Sequence, residues 1–327
     1  MAAKRKKSKT EGSGLAFEKP LRELEERIAE LESLGESTRL DLGDELEGLR
    51  NRLTERLQEV FSDLTPWQRI SVARHPGRPK TTDYIQFLSD EHFELHGDGC
   101  FGDDEAIMTA LVRSGDRAFL VVGHRKGHTT EGRVRCNFGM PHPEGYRKAL
   151  RKMHLAERLG LPIVCLVNTP GAHPGLGAEE RGQARSIAEN IVAMFSIRVP
   201  ILVLIIGEGG SGGALGIGVG DRVAMLEHSY YSVISPEGCA AILWNDSQMA
   251  PQAAESLKLT AADLLDLGII DAVLPEPLGG AHRDHMMTME TVRGWVLGQL
   301  DELCALPVDQ LLTERNEKFR RMGKPIS

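Results

Sequence analysis

A glycine run at residues 207–213 contains the residue types in this sequence that are best suited to chemistry. It reads Gly-Glu-Gly-Gly-Ser-Gly-Gly and follows the apolar stretch 199–206. An apolar stretch of this length, bounded by turn residues, predicts a buried strand, and a small-residue helix follows the run. Backbone amides at a strand-to-helix turn point outward beside the positive end of the helix dipole. Because glycine also lets a ligand approach the backbone, the run predicts a site for a negative charge.

A dinucleotide is one ligand that this pattern could bind. Gly207, Gly209 and Gly212 satisfy G-x-G-x-x-G, and Glu227 lies twenty residues after Gly207, where an acid could bind a ribose. Only about ten residues separate Gly212 from the next predicted strand, however, and a full crossover helix barely fits there. The spacing therefore disfavours a dinucleotide site.

A serine hydrolase is a second possibility. Residues 209–213 also match G-x-S-x-G, with Ser211 as the nucleophile, and Asp271 followed by His282 or His285 comes in the order of a catalytic triad. Aspartate and histidine are common residues, and no HGGG-type segment precedes the run. The motif keeps this function open as an alternative.

The third possibility is an oxyanion hole that needs no nucleophilic side chain. Paired amides at Gly212 and Gly213 could stabilise a developing oxyanion by roughly 3–4 kcal/mol for each well-placed donor. The residues alone do not decide between this site and the hydrolase.

Composition limits the other classes of function. The formal net charge is −8, which argues against nucleic acid as the main partner. The five cysteines are scattered, without a C-x-x-C pair, and this pattern favours a reducing compartment and argues against a zinc ribbon. We expect no membrane span, because no apolar run is long enough, and no secretory signal, because no apolar segment follows the basic residues 1–9. A bacterial cytoplasm is the expected location.

Four segments are predicted along the chain. Residues 1–16 are basic and predicted to be disordered. Residues 17–64 carry leucines and isoleucines three and four apart, which predicts two amphipathic helices in a hairpin. Residues 65–103 contain several prolines and are expected to form a loop-rich connecting segment. Residues 104–327 are predicted to form the main domain, which ends in helices.

Strands and helices alternate in this main domain, which predicts an α/β fold with covered sheets. The predicted strands cover residues 106–113, 117–123, 162–168, 200–206, 223–226 and 231–234, and the predicted helices cover 143–159, 178–195 and 253–267.

Several long motifs carry a family resemblance. They are Gly123-His124-Arg125-Lys126-Gly127, Asn137-Phe138-Gly139-Met140-Pro141 and the segments 143–150, 169–172, 177–183, 207–213, 231–239 and 275–283. With these motifs the chain resembles the alpha-subunit family of bacterial acetyl-CoA carboxylase carboxyltransferases, over nearly its whole length. The resemblance implies a crotonase-type spiral fold of repeated ββα units, with an N-terminal helical hairpin.

The same resemblance implies a reaction and partners. A member of this family transfers the carboxyl group from carboxybiotin, on the biotin carboxyl carrier protein, to acetyl-CoA and so forms malonyl-CoA for fatty acid synthesis. It acts with a beta subunit, in an expected α2β2 heterotetramer, and alongside a biotin carboxylase that uses ATP. Biotin on the separate carrier is the implied cofactor. No metal is expected in this chain, because the family's zinc ribbon belongs to the beta subunit.

By motif position, the resemblance assigns the catalytic oxyanion hole for the biotin ureido oxygen to the backbone of Gly212 and Gly213. The other candidate substrate-binding residues are Gly209, Gly210, Arg125, Lys126, Thr169, Pro170, Gly171, Pro236, Glu237 and Gly238. The chain departs from the family pattern at Asn168, where Asp is usual, and at His173, where Tyr is common.

Two charged features of the sequence each allow both a functional interpretation and a simpler structural one. Arg125, Lys126, Arg133 and Arg135 form a basic cluster that could meet CoA phosphates or the carboxyl group, or could be an exposed charged loop. His124 and His128 have metal-ligand spacing, but Gly127 lies between them at a strand end, so we expect a solvated loop.

Overall fold

The computed structural model describes residues 15–38 and 41–323. Their contacts separate two compact units. The smaller unit contains the described residues up to Leu64 together with His75–Gly77, and the larger one contains Thr65–Arg74 and the chain from Arg78 onward.

The smaller unit contains two long helices, α1 (Lys19–Thr38) and α2 (Gly43–Ser62), which pack on each other. The rings of Phe17 and Phe61 meet edge to face with centroids 6.1 Å apart. Both helices lie within the segment 17–64, where the leucine spacing predicts a hairpin. The predicted basic arm, residues 1–16, lies outside the described residues apart from positions 15 and 16.

The larger unit contains the remaining described elements. The helices are α3 (Pro66–Ala73), α4 (Thr81–Leu88), α5 (Thr130–Arg135), α6 (Pro143–Leu159), α7 (Leu176–Glu180), α8 (Gln183–Ser196), α9 (Ser211–Leu215), α10 (Pro236–Trp244), α11 (Ala250–Ser256), α12 (Ala261–Asp266), α13 (His285–Cys304) and α14 (Val308–Arg321). The strands are β1 (Glu91–Leu95), β2 (Ile107–Ser114), β3 (Arg117–His124), β4 (Ile163–Thr169), β5 (Ile201–Gly210), β6 (Arg222–Leu226), β7 (Tyr230–Ser232) and β8 (Ala272–Leu274). None of the described helices is both long and apolar enough to cross a membrane.

The described strands form one sheet in the order β1-β2-β3-β4-β5-β6-β8, and β7 pairs with the far end of β5. The first three strands are antiparallel neighbours, whereas the pairs from β3 onward are parallel. The carboxyl ends of β3, β4 and β5 therefore lie at one edge of the sheet, and side chains that follow these strands meet there.

The sheet is covered on both faces, which explains why its central strands are apolar throughout. Along β4, Ile163 and Cys165 belong to one buried cluster, and Val164 and Leu166 belong to another. Alternate residues of a strand point to opposite faces, so each face has its own core. All residues of β5, from Ile201 to Gly210, are buried.

The expected loop-rich character of segment 65–103 is wrong. This segment contains α3, α4 and β1. Pro66 does not interrupt structure but begins α3, where the missing N–H of proline costs nothing. Thr65 and Gln68 complete a capping box at the same helix start. The domain boundaries themselves stay a prediction.

The other predicted elements are found, with two corrections. The helix at 143–159 has the predicted bounds, and strands occur near each of the six predicted positions. The helix expected at 178–195 is divided into α7 and α8 by Gly182, which has φ +82°. The helix expected at 253–267 is divided into α11 and α12, because Thr260 and Asp263 form a new capping box.

Arg315 connects the last described helix, α14, to the amino edge of the sheet, which is the edge where the parallel strands begin. Its guanidinium forms two bonds with Asp221, of 2.8 and 2.7 Å. It also donates to the carbonyls of Met194, Ile197 and Val199 at 2.7–3.0 Å. Both charged side chains are buried. The buried ion pair is therefore supported by additional hydrogen bonds from the guanidinium to backbone carbonyls, as a buried pair requires.

Candidate active site

The glycine run continues β5 before it turns. Gly207 to Gly210 belong to the strand, and α9 begins directly at Ser211. Neighbouring groups leave no space for a side chain at the glycines of this strand end. A Cβ at Gly207 would lie 2.9 Å from Asn168 Oδ1, and one at Gly209 would lie 2.8 Å from the ring of Tyr231. These two glycines are therefore required by packing.

The loop after β4 packs directly against the same glycines. A Cβ at Gly210 would lie 2.2 Å from the carbonyl oxygen of Pro170, and one at Gly213 would lie 2.4 Å from the carbonyl carbon of Gly171. Thr169 Oγ1 donates to Gly171 O at 2.8 Å and accepts from its N–H at 3.0 Å, which holds the loop in shape. The structure thus brings the predicted Thr169-Pro170-Gly171 segment into contact with Gly210 and Gly213.

Gly212 differs from its neighbours because it faces open space. The nearest atom to an added Cβ would be Ile187 Cδ1 at 3.8 Å, an ordinary contact distance. Gly212 is partly exposed, whereas Gly213 is buried. Both lie in the first turn of α9, where N–H groups have no acceptor within the helix. Packing explains the glycine at position 213 but not the one at 212.

Glu208, in the middle of the glycine run, is the centre of a charged network. Its buried carboxylate accepts from Arg74 Nε at 2.9 Å and from the Tyr230 hydroxyl at 2.9 Å, and it forms a close ion pair with Lys126 Nζ. Burial alone would raise the pKa of the Glu208 carboxyl, but the charges of Lys126 and Arg74 lower it to about 2. Glu208 is therefore ionised at neutral pH.

The network extends to α10 through Arg74. Arg74 Nη1 donates to Glu237 Oε1 at 2.5 Å, and Ser235 Oγ accepts from Gly238 N at 3.1 Å to cap the helix that begins at Pro236. Two predicted residues, Lys126 and Glu237, are thus linked by Glu208 and Arg74, which are not among the site residues predicted from the sequence. Glu208 itself was the available signal, because a carboxylate inside a buried strand needs charged partners.

Asn168 and His124 lie behind the glycine run. Asn168 Oδ1 accepts from Glu208 N at 3.2 Å, and Asn168 N donates to His124 Nδ1 at 3.3 Å. His124 is buried, so the expected solvated loop is wrong at this position. Burial and the charge of Lys126 lower the pKa of His124 to about 3, which leaves the ring neutral. His128 pairs instead with Asp83, 3.1 Å away.

The basic cluster is divided by its ion pairs. Arg125 pairs closely with Glu94 of β1, and Arg135 Nε lies 2.8 Å from Glu105. Lys126 alone reaches the glycine run, through Glu208. A substrate contact for Arg125 stays a prediction.

Within the residues that it describes, the structure does not supply the elements that a dinucleotide site or a serine hydrolase would need. In the described chain, α9 contains five residues, too few for the crossover helix of a dinucleotide site. Ser211 has φ +49° and is exposed, as a nucleophile could be. Asp271, however, accepts from Val223 N at 2.6 Å and from Lys318 at 2.8 Å at the amino ends of β6 and β8. Ser211 follows the carboxyl end of the parallel β5, so Asp271 lies at the wrong edge for a triad.

An apolar cavity of about 370 Å³ lies beside the glycine run. Ser211, Leu215, Tyr231 and Val233 contribute to its lining, and Lys258 is also among the residues around it. Ligand sites commonly combine such an apolar wall with a few polar groups.

Comparison with known proteins gives the family. The family model described as "Acetyl co-enzyme A carboxylase carboxyltransferase-like" matches residues 14–323. The chain is 51% identical over 312 residues to the acetyl-coenzyme A carboxylase carboxyl transferase subunit alpha of Rhodopirellula baltica, covering 95% of this chain and 98% of that protein. It is 52% identical over 309 residues to the subunit of that name from Acaryochloris marina, covering 94% and 95%.

Solved structures show the fold. Transcarboxylase 12S superimposes with a TM-score of 0.58 at 17% identity, over 70% of this chain and 42% of that one. A Pseudomonas malonate decarboxylase hetero-tetramer contains a chain that matches with a TM-score of 0.56 at 17% identity, over 73% of this chain and 95% of that one. The predicted crotonase-type α/β fold is thereby confirmed. With half of its residues identical to those of named relatives over nearly its full length, the chain belongs to the family of acetyl-CoA carboxylase carboxyltransferase alpha subunits.

Proposed function

We propose that the chain catalyses carboxyl transfer from carboxybiotin, held on a separate carrier protein, to acetyl-CoA, which gives malonyl-CoA for fatty acid synthesis. One observation carries the role of this chain: the backbone of Gly212 is open at the start of α9, whereas the other glycines of the run are closed by their neighbours. An oxygen of a bound group can therefore approach the amide of Gly212, with the amide of Gly213 next to it.

The chemistry required of such a site is electrostatic. Carboxybiotin supplies the carboxyl group when it is bound, and negative charge then develops on a ureido oxygen. Fixed amides at the start of α9 stabilise an oxyanion without having to reorganise, by roughly 3–4 kcal/mol for each well-placed donor. The loop 169–171 supports this placement, because it packs on Gly210 and Gly213 from one side and prevents the turn from shifting.

The charged network supports the same site from behind. Glu208 fixes the end of β5 by its bonds to Arg74 and Tyr230, which lie on other elements. Arg74 in turn holds Glu237 at the beginning of α10. We assign Glu208 and Arg74 to positioning the glycine amides, and we assign Lys126 to the binding of substrate anions.

The remaining part of the active site is proposed to come from a beta subunit. This chain matches only 42% of the transcarboxylase 12S chain but 95% of a chain from the malonate decarboxylase hetero-tetramer. Such proportions support a division of the active site between separate subunits. We therefore propose an α2β2 assembly that works with a biotin carboxyl carrier protein and a biotin carboxylase in the bacterial cytoplasm.

Substitution of Gly212 by Ala tests this function, because a methyl group fits at position 212 without a clash and occupies space on the open side of the turn, where the bound group is proposed to approach. Malonyl-CoA formation is measured with the chain reconstituted with a beta subunit. We expect a fall in kcat of about a hundredfold, as for loss of one oxyanion donor, with normal assembly.

Ser211→Ala is the matched control, because it changes the adjacent position and leaves the amides uncovered. We expect it to keep nearly full activity. The proposal is wrong if Gly212→Ala transfers carboxyl groups at the normal rate. Labelling of Ser211 by a fluorophosphonate in step with loss of activity would instead restore the hydrolase.

A further inference from the structure

Helix α10 (Pro236–Trp244) is apolar on every side over most of its length. After its first three residues it reads Cys-Ala-Ala-Ile-Leu-Trp. Six consecutive residues of a helix point in all directions around its axis, and a helix that is hydrophobic all round is normally buried. Of these six residues, only Ala240 is buried among the residues that the structure describes. The sequence of α10 therefore suits a covered helix, and the described chain leaves it largely open.

The most exposed part of α10 is its last turn, residues 241–244, which we call the α10 tip. Ile242 and Leu243 are 75% and 62% exposed, and Trp244 is exposed as well. The chain then stays exposed up to Met249, which adds another large apolar side chain. Contiguous apolar surface of this kind marks an interaction site in a soluble protein.

The surface of the α10 tip carries little charge. The one charged residue of segment 238–250 is Asp246, whose carboxylate accepts from Gln248 N at 2.9 Å. Glu237, at the other end of α10, is paired with Arg74. A partner with an apolar surface can therefore cover the tip without burying an unpaired charge of the tip itself.

The tip is connected to the glycine run through β7. Gly210 of the run is paired with Ser232 in a parallel register, so that Val233 follows Ser232 as Ser211 follows Gly210, and Val233 and Ser211 line the same cavity. Val233 is 77% exposed. Helix α10 begins three residues later, and its length is only about 13 Å at the usual rise of a helix. Exposed apolar residues therefore occur both beside the glycine run and on the helix that follows it.

The rest of this chain offers little that could cover the tip. Residues 1–14 are small, polar or charged apart from Met1. The other residues outside the described ranges contribute Leu40 and Ile326 as large apolar side chains. The material that covers an apolar helix turn must therefore come from another protein chain.

We propose that the α10 tip is a docking surface for the beta subunit and inserts into an apolar hollow of that subunit. This inference rests on the proposed function, in which a beta subunit supplies the rest of the active site. A chain that reaches the open amide of Gly212 also meets Val233, which adjoins Ser211, and α10 follows directly from there. Trp244 supplies the kind of side chain that commonly contributes most to binding when it fills a pocket.

The test compares two leucines in the last turns of two helices. Leu243 belongs to the tip, whereas Leu159 ends α6, which leads to the amino end of β4, and is 56% exposed. Lysine replaces each leucine in turn, because a cation in the last turn of a helix is favourable. Since both positions are exposed, the two variant chains should unfold at the temperature of the unchanged chain.

The first measurement is the dissociation constant between the full chain and a beta subunit, by analytical ultracentrifugation. We expect Leu243→Lys to raise it about thirtyfold or more, as for a residue at the centre of an interface. Ile242→Ala, which only shortens a side chain, should raise it about fivefold. Leu159→Lys should leave it unchanged, because this leucine lies at the opposite edge of the sheet.

The second measurement is carboxyl transfer at increasing concentrations of the beta subunit. Leu243→Lys should need more of that subunit to reach half of its maximal rate. At saturation it should reach the kcat of the unchanged chain, because the tip does not touch the reacting groups.

The proposal is overturned if Leu243→Lys and Ile242→Ala bind the beta subunit as tightly as the unchanged chain does. A normal affinity for the beta subunit with a lower mass of the variant chain alone would overturn it in favour of a second copy of this chain. A normal affinity with a raised KM for the biotin carrier protein would overturn it in favour of the carrier.

Gly212→Ala separates this inference from the proposed reaction. It should bind the beta subunit normally and transfer carboxyl groups slowly even at saturation, which is the opposite of Leu243→Lys. If Gly212→Ala transfers at the normal rate, the role of the glycine amide fails. The dissociation constants of the Leu243 and Leu159 variants still decide whether the tip binds the beta subunit.

Discussion

Two charged clusters lie at opposite edges of the sheet and differ in how completely they are enclosed. At the amino edge, Arg315 and Asp221 have side chains that are 0% and 2% exposed. At the carboxyl edge, the side chains of Arg74 and Lys126 around Glu208 are 30% and 18% exposed. One cluster is sealed inside the protein, whereas the other keeps contact with the surface.

The partners of each cluster explain this difference. Arg315 donates its remaining N–H groups to backbone carbonyls, so the guanidinium is satisfied without a ligand. It connects α14 to the end of α8 and to the segments that precede β5 and β6. Around Glu208, the cations reach from separate elements toward the turn where β5 becomes α9. A closed cluster fixes the fold, and an open cluster at the carboxyl edge places charges where ligands of α/β proteins bind.

The largest expected effect comes from removing the cation of the enclosed Arg315–Asp221 cluster. Arg315→Met leaves the Asp221 carboxylate buried without a cation, and we expect a loss of about 3–5 kcal/mol in the free energy of unfolding. Urea denaturation followed by circular dichroism measures it. The double variant Arg315→Met with Asp221→Asn should recover part of the loss, because no uncompensated charge remains. Equal stability of the single and double variants would contradict a charge-based role.

The next contrast separates two adjacent glycines. Gly213→Ala places a methyl group 2.4 Å from the backbone of Gly171, so we expect it to lower the free energy of unfolding by about 1–3 kcal/mol through overpacking. Gly212→Ala should leave thermal unfolding unchanged and lower carboxyl transfer. The comparison fails if the two variants have the same stability, because only one of the two positions is enclosed.

The sequence was informative about this edge of the sheet for a physical reason. The apolar stretch before Gly207 predicts a buried strand, and the following glycines predict a close approach; both are local properties of the chain. The bonds from Arg74 and Tyr230 to Glu208 join residues 134 and 22 positions apart. Such pairings depend on the folded topology, so only the need of Glu208 for some cation was predictable. The helices of segment 65–103 were missed because proline at a helix start resembles proline in a loop.

A smaller effect is expected from Glu208→Gln, which keeps the shape of the side chain but removes its charge. We expect a loss of about 2 kcal/mol at pH 7, typical of hydrogen bonds to a charged group. The folded pKa of Glu208 is lowered from 4.5 to about 2, so its stabilisation is complete above pH 4.5 and lost as the pH falls toward 2. Acid titration of the free energy of unfolding should therefore be shallower for the variant over this interval. Identical acid profiles would show that the carboxylate is not the stabilising group.

The smallest effect concerns Ser211, the residue between β5 and the two glycines Gly212 and Gly213. Ser211 has φ +49°, a conformation that costs little for glycine but more for other residues. Ser211→Gly should therefore raise the free energy of unfolding by about 0.5–1 kcal/mol, the conformational preference less the entropy that glycine loses on folding. Thermal unfolding and carboxyl transfer are measured on the same sample. If transfer persists while stability rises, the serine is dispensable and the backbone of the turn is what matters; if transfer is lost in the more stable variant, the hydroxyl has a role that the amides of Gly212 and Gly213 do not explain.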